Sequence, residues 1–130
     1  MKKKFLVTLS SLALLLVMMA PTALAASYSS TYKMYHGVLG KVCVKLKKGN
    51  VVRFSTTPNK DNRASGKYKI GTHLYQQTGY GYISVGESWN YAHVSDSSTI
   101  KVLYSEPHYF YLENQSDGIE FFSGSVTINY

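Results

Sequence analysis

The side chains of this sequence that could do acid–base, nucleophilic or metal chemistry are four histidines, one cysteine and seven acidic residues. Cys43 and His36 have the composition of a thiolate pair, in which an imidazole takes the thiol proton. Period-two alternation sets them apart: Cys43 falls on the face of Lys41 and Lys45, and His36 falls with Val38. Flanking lysines lower a thiol pKa, so an exposed Cys43 is expected to be a redox-prone or interchain thiol rather than a catalytic one. Ser123 and Ser125 flank a single glycine and do not make the G-x-S-x-G elbow that presents a nucleophilic serine. His36, His73, His93 and His108 are far apart, with neither H-x-H nor H-E-x-x-H spacing, and the Asn59–Asn62 loop has too few acids for a calcium site. Glu87, Asp96, Glu106, Glu113, Asp117 and Glu120 fall in or beside turns, where solvated carboxylates are ordinary. The expectation is a protein without catalytic residues, metal or cofactor.

Two binding sets remain. The first is basic: Lys41, Lys45, Lys47, Lys48 and Arg53, with Lys67 and Lys69 as extensions and Lys60 and Arg63 in a neighbouring loop. Such a face could hold a polyanion. The same lysines also discourage edge-to-edge pairing of strands, which needs no ligand. The second set is aromatic. Between Leu74 and Val94 stand Trp89, Tyr75, Tyr80, Tyr82 and Tyr91. Tyrosine and tryptophan stack on sugar rings and contact ligands at low entropic cost, but they are also good strand residues with large rings for a core. Alternation and the neighbouring Gly79 select Tyr75 and Tyr80 as the exposed contact candidates. Trp89, Tyr82 and Tyr91 are assigned to the core or to half-buried positions.

The elements that must carry these residues read as strands throughout. No window after Ala25 has apolar residues at i, i+3, i+4 and i+7, whereas short alternating runs recur between clusters of Gly, Pro, Asn, Asp and Ser. Residues 26–31 read as a flexible lead. Strands are expected over Tyr32–Leu39, Lys41–Lys48, Val51–Thr56, Lys67–Tyr75, Tyr82–Val85, Trp89–Val94, Thr99–Tyr104, Pro107–Glu113 and Ile119–Tyr130. The second and third are expected to form a hairpin around Lys48-Gly49-Asn50, apolar inside and lysine-rich outside. Thr57–Gly66 is the longest loop, and Asn114–Gly118 reads as another hairpin turn. Eight or nine short strands at this spacing predict an all-β fold, a small antiparallel β-sandwich of jelly-roll-like or Ig-like wiring over residues 32–130.

Residues 1–25 have the parts of a cleavable signal peptide: Lys2, Lys3 and Lys4, the uncharged run Leu12–Ala20, and Ala23-Leu24-Ala25. The run is short for a membrane span, so no transmembrane anchor is expected after cleavage. Three lysines leave with the signal, so eleven basic residues remain against seven acidic ones, a formal net charge of +4. That mild excess points to anionic surfaces and, with export, away from nucleic acid. Cys43 is the only cysteine, so no intrachain disulfide can staple the domain, an ordinary pattern for a bacterial exported protein.

The runs VKLKKGNVVRF and YFYLENQSDG…GSVTINY resemble accessory β-sandwich modules of secreted bacterial enzymes over about a third of the chain. The resemblance is one of strand and turn pattern, and no functional residue is transferred by it. The functional expectation is a secreted, non-enzymatic protein, extracellular or wall-associated, that binds an anionic or carbohydrate polymer of the cell envelope or matrix. A protein acting on anionic membranes and a self-associating matrix protein are the alternatives.

Overall fold

The structure, a computed structural model, describes residues 26–130; the expected signal peptide lies outside the described residues. Eight strands follow one another: β1 (Ser27–Met34), β2 (Gly37–Lys45), β3 (Val51–Pro58), β4 (Lys69–Thr78), β5 (Gly81–Tyr91), β6 (Asp96–Lys101), β7 (Pro107–Asn114) and β8 (Phe122–Asn129). They form two four-stranded antiparallel sheets, one in the order β1-β8-β3-β6 and the other in the order β2-β7-β4-β5. Only β4 and β5 are consecutive strands paired in one sheet. Every other connection crosses the sandwich. Among the described residues there is no helix.

Alternation builds the core. In β3, Val52, Phe54 and Thr56 are buried while Val51, Arg53 and Thr57 are exposed. In β7, His108, Phe110, Leu112 and Asn114 point inward, and Tyr109, Tyr111 and Glu113 stand half-buried on the other face. The edge of one ring meets the face of the other between Phe54 and Phe110, 5.7 Å apart, where the two sheets pack. Burying one such side chain is worth about 1.5–3 kcal/mol. Phe122, Ile70, Leu74 and Ile128 complete the centre.

The structure departs from the sequence reading in several places. Residues 26–31 are no lead: Ser27–Met34 is an edge strand paired along its whole length with β8, and its Tyr32 and Met34 are buried. The expected lysine-rich hairpin does not exist, because β2 and β3 lie in opposite sheets. The Lys47–Asn50 turn is real, with Asn50 N–H donating to the Lys47 carbonyl at 3.1 Å, but it carries the chain across the sandwich. Asn114–Gly118 likewise joins β7 to β8 across the sheets instead of closing a hairpin. Finally, the expected strands Tyr82–Val85 and Trp89–Val94 are one, and Gly86-Glu87-Ser88 between them is not a turn. β5 runs unbroken through it, with a register shift against Leu74 and Tyr75. A Cβ on Gly86 would come within 2.6 Å of Ile100 Cγ2, so the glycine admits the close approach of β6 and not a reversal.

Candidate functional site

The outer face of the β2-β7-β4-β5 sheet gathers the aromatic and titratable side chains. β7 and β4 are its inner strands and pair with Glu113 beside Gly71, Tyr111 beside His73, and Tyr109 beside Tyr75. β5 adds Tyr91 opposite Lys69, Trp89 opposite Gly71, and Glu87 opposite His73. Beyond the register shift, Ser84 faces Tyr75. The extra residue in the strand re-aims Ser84 onto the same face as His73, a usual consequence of a β-bulge.

At the centre of this face His73 is only 7% exposed. Its Nε2 lies 2.9 Å from Glu113 Oε2, and its Nδ1 lies 3.0 Å from Ser84 Oγ and 3.8 Å from Glu87 Oε2. Gly71 makes room for this: a Cβ there would sit 2.8 Å from the Glu113 carboxylate and 3.0 Å from His73 Nε2. Ser84, His73 and Glu113 are the residue types of a nucleophilic relay, but they stand on an open sheet face rather than in a cleft. Their hydrogen bonds orient the rings around them.

Those rings form two groups. Tyr75 and Tyr111 stack at 4.6 Å with their planes 15° apart, and Tyr82 continues the stack from Tyr75 at 6.4 Å and 25°. Tyr109 stands across Tyr82 at 86°. Stacking covers the facing surfaces of Tyr75 and Tyr111, which are half-buried, whereas Tyr82 keeps more than two-fifths of its surface exposed. In the second group Trp89 and Tyr91 meet edge to face at 5.2 Å, and Lys69 Nζ lies 3.4 Å from the Trp89 ring centre. Trp89, Tyr82 and Tyr91 are each more than two-fifths exposed, so of the two positions expected for them, core or half-buried, the core is excluded. β5 is an edge strand whose outward face no other sheet covers.

The phenols respond to these surroundings. Burial, then the Tyr111, Glu113 and Glu87 charges, raise the Tyr75 pKa above its ordinary value. Burial and the Glu113 charge do the same for Tyr111. A hydrogen bond to Cys43 is the main reason the Tyr109 pKa is raised. All three hydroxyls are held as neutral donors.

The predicted binding residues are dispersed. Lys41 and Lys45 lie on β2, Lys47 and Lys48 in the connection after it, and Arg53 on the outer face of the opposite sheet, paired with Thr99 and Asn129. Lys67 precedes β4, with its ammonium 5.2 Å from the Tyr68 ring centre. These seven cations make no single face, because a crossing connection, not a hairpin, separates β2 from β3. Of the set, Lys69 lies against the aromatic rings, and Lys45, two residues from Cys43, shares the outer face of that sheet at its β2 edge. Tyr75 is part of the stack but half-buried, and Tyr80 is fully exposed at the β4–β5 tip. Cys43 is exposed beside Tyr109. Tyr109, Tyr111, Glu113, His73, Ser84 and Glu87 were not singled out by the sequence. Alternation in Pro107–Glu113 placed the first three on one face, but the neighbouring of β7 and β4 is a long-range pairing.

Among the described residues, no three His, Cys, Asp or Glu side chains are arranged to hold a metal ion. An apolar recess of about 320 Å³, counted with its open mouth, lies between the sheets along β1 and β2, lined by Tyr28, Val38, Phe110, Leu112, Val126 and Ile128 among others. It shares no lining residue with the aromatic face.

No family model and no curated protein matches the chain. Among solved structures it is similar to the crystal structure of the Yersinia pseudotuberculosis-derived mitogen, at 11% sequence identity and a TM-score of 0.35, over 82% of this chain and 83% of that one. At that TM-score the likeness bears on neither protein's ligand.

Proposed function

We propose that the protein is a secreted, non-enzymatic β-sandwich of jelly-roll wiring that holds a carbohydrate polymer of the cell envelope or matrix on the outer face of its β2-β7-β4-β5 sheet. The observation that carries this reading is the composition of that face. Exposed rings at Trp89, Tyr82 and Tyr91, with the half-buried Tyr109, alternate with the Glu87 and Glu113 carboxylates and the neutral tyrosine hydroxyls. Aromatic faces suit the C–H surface of a sugar ring, and carboxylates and phenols suit its hydroxyls. Glu87 and Glu113, set among these rings, also favour a neutral or amino sugar here over a polyanion. Two four-stranded sheets joined almost wholly by crossings support jelly-roll rather than Ig wiring. Export rests on the lysines, apolar run and Ala-Leu-Ala of residues 1–25.

The test is co-sedimentation with purified cell-wall polysaccharide and with insoluble neutral glycans, followed by affinity measurement on soluble fragments. Trp89→Ala and Tyr109→Ala are each expected to weaken binding roughly tenfold, about 1.4 kcal/mol. Binding that both variants leave intact, or its absence for every glycan tried, would overturn the reading.

A further inference from the structure

The strand directions divide the sandwich into two ends of different chemistry. One end collects the β2–β3 connection, the β6–β7 connection and the β4–β5 tip. Backbone bonds zip the first two together: Gly49 N–H donates to the Val102 carbonyl at 2.9 Å, and Val102 N–H donates to the Asn50 carbonyl at 2.9 Å. Lys48 N–H donates to Ser105 Oγ at 2.9 Å, and Gln76 Nε2 donates to Glu106 of the β6–β7 connection at 2.6 Å, which ties in β4 near the tip.

Lys45, Lys47, Lys48 and Lys101 are all exposed at this end, and Glu106 is the one acidic side chain in the three segments. Among these cations stand apolar side chains that a folded domain ordinarily covers. Val51, Leu103 and Tyr104 are each more than half exposed, and Tyr80 is fully exposed. The opposite end has no such excess: its connections carry Lys60, Arg63 and Lys67 against Asp61, Asp117 and Glu120, and Asp96 opens β6 there. Clustered apolar exposure marks an interaction surface, and a surrounding ring of lysines defines its partner as anionic.

We infer that this end docks on the surface of an anionic lipid bilayer, with the lysines at the phosphate headgroups and Leu103, Tyr104 and Tyr80 entering the interface. Tyrosine sits well at that depth, its ring among acyl carbons and its hydroxyl among headgroups. Leu103 has no role toward a soluble polyanion, which is what favours a bilayer. Seated in this way, the protein keeps the carbohydrate-binding face of the β2-β7-β4-β5 sheet along its side and free of the membrane.

Flotation of the protein with phosphatidylcholine vesicles, and with vesicles of phosphatidylcholine and phosphatidylglycerol in equal parts, tests this. Binding is expected to the anionic vesicles alone and to weaken with salt. Lys47→Glu with Lys48→Glu is expected to reduce it at least twentyfold, since each lysine near such a surface is worth about fivefold. Leu103→Ser is expected to reduce it severalfold at any salt. Tyr104→Trp is expected to report a blue-shifted emission on vesicle addition, read against the wild-type emission of Trp89. All four positions are exposed, and an unchanged thermal midpoint verifies that the variants fold. Failure to bind anionic vesicles, or binding that survives the lysine and leucine variants, would overturn the inference. So would soluble polyphosphate competing fully while the Tyr104→Trp variant shows no blue shift, which would make the end a phosphate site instead.

Discussion

His73 Nε2 and Glu113 Oε2 meet 2.9 Å apart across the two inner strands of one sheet, directly above the bare backbone of Gly71. Tyr75 and Tyr111 flank the imidazole at 5.5 and 5.7 Å. The pair is therefore the fixed point from which the exposed rings are oriented. Gly71→Ala is expected to destabilise the protein by about 1–3 kcal/mol, because the new methyl group must displace the carboxylate or the ring. Glu113→Gln keeps the shape and is expected to cost less than about 1 kcal/mol, the carboxylate being partly exposed and screened. Urea denaturation measures both, and equal losses would show that the glycine matters for another reason.

Tyr32 gives the stability an alkaline limit. Its hydroxyl is buried without a hydrogen-bond partner, and burial pushes its pKa from 10.0 up to about 12. The folded state thus holds this proton where the unfolded chain has released it. The contribution is fully present below pH 10 and is lost as the pH rises toward 12. Tyr32→Phe is expected to remove this part of the alkaline loss and, since it deletes an unpaired hydroxyl, to leave stability at neutral pH unchanged or raised by up to about 1 kcal/mol. Thermal midpoints across that pH range would decide it.

Asn114 secures the crossing between β7 and β8. Its Nδ2 donates to the Met34 carbonyl at 3.1 Å and the Glu120 carbonyl at 2.7 Å, and its Oδ1 accepts from Ser116 N–H and Oγ at 2.9 and 2.6 Å. Asn114→Ala leaves several of these buried groups unpaired and is expected to cost about 2–4 kcal/mol, visible as a lower urea midpoint. A loss no larger than that of an exposed asparagine such as Asn129→Ala would contradict this account.

The exposed Cys43 thiol stands opposite Tyr109, and a hydrogen bond to Cys43 is the main cause that raises the Tyr109 pKa. Cys43→Ala is expected to lower the Tyr109 pKa toward its ordinary value, because the bond that favours the protonated phenol is gone. Ultraviolet titration of the wild type and the variant, with Tyr109→Phe to identify the signal, makes the comparison. An unchanged titration would mean that the bond does not persist in solution.

What the sequence determined by itself is local. Period-two alternation identified Val52, Phe54, Phe110, Leu112 and Ile128 as inward residues, and the absence of helical periodicity predicted a fold of strands. It also placed Tyr109, Tyr111 and Glu113 together, since residues two apart on a strand must share a face. Which strand lies beside which is not a local property. Lys48-Gly49-Asn50 bends the chain equally well into a hairpin or across a sandwich, and only the packing of Val52 and Phe54 against the opposite sheet selects the crossing. That choice dispersed the expected lysine face. It also left β5 at an edge, where Trp89, Tyr82 and Tyr91, residues suited to a core, stand open to solvent. Tertiary structure alone decided the candidate site, because its central contact joins residues from strands distant in sequence.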